Sequence, residues 1–356
     1  MTKILILAPY PQNEAPSQRF RFEHFLKFME EKGFEYDFQS FLSINAWNNL
    51  YKQGKALQKV AGVISGFLRR ITRLLSVSKY DYILIHREAT PLGPPFIEWI
   101  IAKVLKKKII YDYDDAIWMA DQGGENKIWS TLKWRSKVSS ICKWSYKVTT
   151  GNEFLARFAR QYCPNVVILP TIVDTDKHTI SELLPKNDLI TIGWTGSHST
   201  LFYLVSLIPI LQELEKSFEF QFLVIANKDP ELPLKNLQFI KWTKETEIED
   251  LAKMDIGVMP LEDNEWSQGK CGFKLIQYLS MGIPAVASPV GVNEDIIKNG
   301  ETGFLANNQE EWLASLKKLL FSPTLRKKMG EAGRELIISE YSVESQREIF
   351  FSLFAD

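Results

Sequence analysis

The stretch PLEDNEWSQGKCGFKLIQYLSMGIPAVASPVG, Pro260 to Gly291, decides how the chain folds. It follows a short β-rich apolar run, Ile256–Met259, and contains a second one, Ala285–Ala287. Between them stand a polar loop, a short helical pattern opening at Cys271–Gly272 and a Gly-Ile-Pro turn. Strand, crossover helix and strand form a βαβ unit, which places its two strands parallel in one sheet. Lys270 and Lys274 bracket the start of the helix. A helix N-terminus offers free backbone N–H groups and a partial positive charge, so with two ammonium groups it can hold a diphosphate without a metal. Gln277, one turn beyond Lys274, offers a side-chain amide to hydroxyl groups.

Outward from this unit the same grammar repeats. Strands are expected near Leu189–Trp194, Phe220–Ala226, Leu237–Trp242 and Gly303–Leu305, and an earlier series near Ile4–Ala8, Tyr36–Ser40, Tyr82–His86, Lys108–Tyr113, Lys147–Thr150 and Val166–Leu169. Helical patterns fill the gaps, the signature of parallel sheets built from crossovers. The two series break at a polar, proline-bounded segment around Pro170 to Pro185, the expected linker. A chain of 356 residues suits two α/β domains of roughly 170 residues each. The boundaries read as 1–175, 176–340 and a terminal helix, 341–356, whose IFFSLF tail at Ile349–Phe354 needs an apolar surface and is expected to pack back on the first domain.

Composition narrows the function. Hydrophobic residues are 45% and charged residues 24%, which fits a folded globular chain and excludes extensive disorder. Cys142, Cys163 and Cys271 have no paired spacing, so neither a disulfide framework nor a tetrahedral metal site is expected, and a reducing cytoplasm fits. Ile4–Ala8 is too short for a signal-peptide core, and charges interrupt every longer apolar window, so membrane contact is expected to be peripheral. Up to Asp176 there are 25 Lys+Arg against 17 Asp+Glu; beyond it, 18 against 26. The basic first half therefore favours anionic surfaces.

No G-x-G-x-x-G follows the first strand, where PYPQNEAPSQRFR stands instead, and this argues against a dinucleotide oxidoreductase. Ligands of open α/β sheets bind outside the carboxyl ends of the strands, which selects the residues there. GWTGSHST, Gly193 to Thr200, turns through Gly196 into a helix that Ser197 or Ser199 can cap, with His198 beside them. KWTKETE, Lys241 to Glu247, places Trp242 at a strand end, where an aromatic face can stack on a base.

The Pro260–Gly291 segment resembles the donor-site motif of GT-B glycosyltransferases of retaining family four, the group 1 glycosyltransferases. The turn SMGIPAV matches that family's small-Gly-x-Pro-Val, whereas its two motif glutamates correspond here to Gly269 and Gln277. Glu262, Asp263 or Glu265 can supply a missing carboxylate. The resemblance implies a fold of two Rossmann-like domains facing each other across a cleft, with the closing YSVESQ helix at Tyr341 crossing back. It implies a nucleoside-diphosphate sugar donor on the second domain, contacted by Gly196, Ser197, Trp242, Gly272, Phe273, Gln277 and Glu262, with Lys270 and Lys274 at the phosphates and His198 at phosphate or acceptor.

In the first half, YDYDDAIW at Tyr111–Trp118 puts three carboxylates at a strand end. A D-x-D invites a metal-dependent GT-A reading, but it lies in the half opposite the lysine-bracketed helix. In the resembled family a catalytic histidine occupies this strand end, so Asp114 or Asp115 is expected to orient the acceptor or steady oxocarbenium charge, with Asp112 a hydrogen-bonded support. Arg19, Arg21 and His86 are candidates for phosphate or an anionic acceptor. The resemblance implies a retaining, metal-independent hexosyltransferase without cofactor, acting on a saccharide acceptor in polysaccharide biosynthesis, with no nucleic-acid partner; the basic first half adds the expectation of peripheral contact at the cytoplasmic face of the membrane and of a lipid-linked acceptor. The alternatives are a nucleotide-sugar epimerase or hydrolase of the same fold, and a non-catalytic sugar-nucleotide-binding partner of another transferase.

One segment remains. Gln39 to Lys79 contains no acidic residue, carries seven Lys or Arg, and repeats Leu57, Val60, Ile64, Phe67, Ile71 and Leu74 at helical spacing. A basic amphipathic helix of this kind lies in a membrane interface or covers its own domain's sheet. WSTLKWRSKVSSICKWSYK, Trp129–Lys147, adds cations and tryptophans without an acid.

Overall fold

The computed structural model describes residues 1–50, 52, 54–119, 132–178 and 189–355. Two compact units divide the chain, one of Met1–Pro170 with Gln346–Asp356 and the other of Thr171–Ser345. Part of the expected linker, 179–188, and the start of the Trp129–Lys147 segment lie outside the described residues.

The first unit contains β1 (Thr2–Ala8), β2 (Phe34–Ser40), β3 (Tyr82–His86), β4 (Lys108–Tyr113), β5 (Lys147–Thr150) and β6 (Val166–Ile168). They form one parallel sheet in the order β2-β1-β3-β4-β5-β6. The second unit contains β7 (Thr191–Gly196), β8 (Gln221–Ala226), β9 (Leu237–Lys241), β10 (Ile256–Met259), β11 (Ala285–Ala287) and β12 (Gly303–Leu305), parallel in the order β12-β11-β10-β7-β8-β9. Both sheets are sandwiched by helices, so their central strands are apolar on both faces. Every expected strand is present, because a fully buried strand announces itself as an unbroken apolar run.

The helices that matter for function are α1 (Ala56–Leu74), α2 (Phe96–Trp99), α3 (Glu247–Leu251), α4 (Phe273–Ser280), α5 (Pro323–Glu340) and α6 (Val343–Ser352). Strand order reverses direction at β1/β3 in the first unit and at β7/β10 in the second. These are the switch points where adjacent crossovers leave to opposite faces and a crevice opens at the carboxyl ends. The terminal aromatics belong to the first unit, where Phe350 stacks on Phe25 with ring centroids 4.4 Å apart and Phe351 on Phe34 at 5.4 Å.

Helix α1 departs from one of the two sequence readings, that of a stripe covering its own domain's sheet. Its apolar stripe does not cover the sheet, and most of its arginines do not face solvent. Gly66 presses on Phe41 and Gly62 on Ala46, where a Cβ would collide. Arg70 is 1% exposed and donates to Gln39 O, Ala8 O and Ala89 O, each at 2.8 Å, capping carbonyls at the ends of β1 and β2. Arg69 Nη2 reaches Phe41 O at 2.5 Å, and Arg73 Nη1 reaches the Tyr80 hydroxyl at 3.1 Å. Two glycines and three guanidinium groups thus choose the inward face, and the aliphatic stripe is turned outward.

Candidate functional site

The second unit's site is built at its switch point. Gly257 on β10 leaves room for the Tyr278 ring of α4, since a Cβ there would overlap it. The Thr195 N–H donates to Tyr278 Oη at 3.0 Å and ties α4 to the end of β7. One residue along, Gly196 lets the buried Trp194 indole fold beneath the turn, where a side chain would strike the ring. Helix α4 opens on Gly272, whose φ of 65° is left-handed and whose neighbours Ile296 and Val292 leave no space for a Cβ. No side chain caps this terminus, so its first-turn amides and its share of the helix dipole are open to an anion.

Lys274 projects from that first turn. Its ammonium sits 4.8 Å from the centroid of the Trp194 ring and has no carboxylate or hydrogen-bond partner among the described residues. Burial pushes its pKa down from 10.5 to about 7, and Lys270 adds repulsion. Lys270 lies with its ammonium 4.4 Å over the Trp266 ring. Lys274, half-buried against an indole face with no carboxylate partner among the described residues, is electrostatically incomplete, and an anion at the α4 terminus would complete it. Phe273 is half-buried beside it.

Ser197 and His198 are exposed at the β7 turn, with Ser197 Oγ 2.8 Å from Ser199 Oγ. The His198 N–H donates to Asn227 Oδ1 at 2.7 Å, which fixes the amide. Asn227 Nδ2 then faces His198 Nδ1 at 3.0 Å, so the neutral ring accepts there and carries its proton on Nε2. Asn227, at the end of β8, gave no signal in the sequence.

Gln277 is placed differently from its expected role. Its side chain is buried and Nε2 donates to Glu247 Oε1 on α3 at 3.1 Å. The amide is engaged inside the unit, and the partner carboxylate, also buried, was not singled out by sequence. Trp242 is half-buried, and its N–H extends the β8 ladder to Ala226 O at 2.9 Å. Glu262 is exposed in the loop after β10, which is anchored by Leu261 N–H to Ser288 Oγ at 3.0 Å.

In the first unit, the carboxyl ends of β3 and β4 hold a charged cluster. Buried Asp112 accepts from Arg21 Nη2 at 2.5 Å and Thr149 Oγ1 at 2.5 Å, and lies 2.7 Å from His86 Nδ1. Burial opposes its ionisation, but the Arg21 charge and the His86 bond outweigh burial and hold the carboxyl well below the usual range. Arg21 also donates to Leu169 O and is 1% exposed, so it cannot serve as a solvent-facing phosphate arm. His86 is likewise fully buried and is committed to Asp112. Both expectations fail for one reason: Arg21 and His86 are turned inward onto the buried Asp112 carboxylate.

Asp114 and Asp115 are half-buried beyond it. Arg87, in a left-handed conformation with φ 59°, bonds Asp114 Oδ1 through Nε and Nη2 at 2.7 Å. Burial disfavours the Asp114 charge, yet Arg87 more than compensates and its pKa is lowered. Asp115 Oδ1 accepts the Ala116 N–H at 3.0 Å. Arg87 was missed because nothing in sequence separates it from a surface arginine. Arg19 is half-buried with its guanidinium 4.8 Å over the Phe20 ring. Among the described residues no group of three or more His, Cys, Asp or Glu side chains is placed to hold a metal.

Two α/β units, each a parallel six-stranded sheet with an open switch point, have the GT-B fold of the solved structures similar to this chain. Residues 186–321, within the second unit, match the family model described as Glycosyl transferases group 1. The curated Glycosyltransferase 1 domain-containing protein 1 of Xenopus tropicalis is 22% identical over 129 residues, 36% of this chain. The matched part spans 37% of that relative's length. Sucrose-phosphate synthase from Thermosynechococcus elongatus shares the fold at TM-score 0.71 with 12% identity, over 99% of this chain and 98% of its own. A glycosyltransferase from Rickettsia africae does so at 0.68 and 14%, over 99% and 97%. Anabaena HepE, solved with UDP and glucose, gives 0.65 and 11%, over 99% of each chain. At these identities the likeness is one of fold. No described helix is long and apolar enough to cross a membrane.

Proposed function

We propose that the chain is a retaining, metal-independent glycosyltransferase that takes a hexose from a nucleoside-diphosphate sugar bound at the α4 terminus and passes it to a saccharide or lipid-linked acceptor. The observation that carries this reading is Lys274, an ammonium with no anionic partner among the described residues, set in the first turn of an uncapped helix at a switch point. HepE was solved with UDP, which makes UDP-sugars the first donors to test.

In the proposed reaction the bond from C1 to the β-phosphate oxygen breaks and its electron pair leaves with the diphosphate. Lys274, Lys270 and the α4 amides take up the growing negative charge, where preorganised donors act without reorganisation. The acceptor oxygen bonds C1 on the face the diphosphate is leaving, and the acceptor proton passes to a departing phosphate oxygen. No covalent enzyme intermediate is required. Acceptor recognition falls to the first unit, with Asp114 and Asp115, half-buried just beyond β4, as the candidate carboxylates. We assign the work to polysaccharide biosynthesis at the cytoplasmic face of the membrane.

The test is calorimetric titration with UDP and UDP-sugars in the presence of a chelator, on wild type and Lys274→Ala. Wild type should bind and the variant should not; equal binding by both removes the assignment. Nucleotide release measured with and without acceptor separates transfer from hydrolysis or epimerisation, which proceed without one. Binding without turnover on any acceptor would point to the non-catalytic alternative.

A further inference from the structure

The outward face of α1 has no role in the sugar-transfer chemistry and is exposed among the described residues. Leu57 is 87% exposed, Ile64 55%, Leu68 58% and Leu75 88%, and Val60 and Ile71 complete the row. The spacing of three and four residues makes one continuous aliphatic stripe along the whole helix. Single exposed apolar residues are ordinary, but an aligned row of six marks a surface that something covers.

The inversion of the helix is what makes this informative. An amphipathic helix normally turns its apolar side to its own core. Here the inward side is held by Arg70 on three carbonyls and by Gly62 and Gly66 against the Phe41–Ala46 segment. The fold therefore spends polar contacts to present aliphatic groups. Helix α2 packs against α1 and exposes Phe96 and Trp99, while its single acid, Glu98, is fully buried.

Exposed charges on α1's own segment are all basic, and Asp37, the carboxylate that pairs with Arg73 of α1, comes from β2. Lys52, Lys55, Lys79, Lys103 and Lys106 are exposed, and no Asp or Glu occurs between Gln39 and Lys79. A protein partner with an apolar patch would need no such ring of lysines. An anionic lipid surface supplies both an apolar layer for the stripe and negative headgroups for its margins.

We infer that α1 is a membrane-seating helix, lying in the plane of an anionic bilayer with Leu57, Ile64, Leu68 and Leu75 among the headgroup–acyl boundary. It deepens the peripheral-membrane part of the proposed function and names the element and its orientation. Attraction to lysines brings the protein to the surface, and burial of the stripe keeps it there.

The experiment is flotation of the full chain with phosphatidylcholine vesicles, with and without phosphatidylglycerol, in the absence of any sugar nucleotide. Wild type should float with the anionic vesicles and far less with the neutral ones. Ile64→Glu with Leu68→Glu should lower vesicle affinity at least about tenfold, because each exchanges an inserted aliphatic group for a charge. Thermal melting should be unchanged, since both sites are on the surface. Wild type that fails to float, or a variant that floats equally well, overturns the inference. Light scattering that shows a wild-type dimer dissolved by the same variant overturns it too, in favour of a second copy. UDP binding to both proteins, measured in the same preparations, reports on the donor site independently.

Discussion

Helices α1 and α4 both bring cations into their own unit, and the cations meet different fates. Arg70 of α1 is fully buried, and its guanidinium is spent on three backbone carbonyls and the Gln39 side chain. Burial pushes its pKa down to about 9, so it stays charged at neutral pH. Lys274 of α4 is half-buried over an indole, with no acceptor among the described residues, and burial brings it to about 7. A guanidinium can satisfy several fixed acceptors at once and so becomes a structural clamp; an ammonium left with a π-face remains available to a ligand. The contrast separates a cation that organises the fold from one that awaits chemistry.

The comparison breaks most visibly at Lys274. Alanine there should reduce transfer by at least ~100-fold, about 3 kcal/mol of lost charge stabilisation, with circular dichroism unchanged. Turnover close to wild type would make Lys274 a surface lysine. The converse holds at Arg70: Arg70→Met should cost on the order of 3 kcal/mol in urea unfolding, since three carbonyl partners lose a charged donor. Donor affinity measured under native conditions should be unaffected. A variant as stable as wild type would deny α1 its clamp.

Gly272→Ala tests the terminus that Lys274 belongs to. The left-handed φ and the clash with Ile296 should destabilise by ~1–2 kcal/mol and also weaken nucleotide binding, as the α4 amides shift. Stability lost with affinity retained would move the anion site away from α4. The smallest effect is one of pH. A lysine whose folded pKa is depressed opposes folding fully below that pKa, and the penalty fades as pH rises towards 10.5. Lys274→Met should therefore raise Tm by a few degrees, ~2–4 °C, at pH 6 and by progressively less between pH 7 and 10.5, followed by thermal melting. A constant or growing difference would show that Lys274 is not desolvated.

Legibility followed the physics of each feature. The strands were readable because buried parallel strands are continuous apolar runs, and the α4 motif because glycine, lysine and the Gly-Ile-Pro turn are local. Arg21, in the segment after β1, and His86, at the end of β3, were assigned outward roles, since only the folded sheet reveals that Asp112 lies between them. Gln277 was found, but its partner Glu247 is thirty positions away and on another helix. Asn227 and Arg87 had no local mark at all.

Periodicity, composition and turn residues by themselves determined that this chain makes two parallel α/β sheets with a cationic helix start in the second, because those properties arise from neighbours in sequence. Only the tertiary structure decided which side of α1 faces inward, which carboxylates are neutralised and which ammonium is left without an anion. Periodicity says that a helix has two faces, and the choice between them belongs to the glycines and carbonyl acceptors that other segments bring to it.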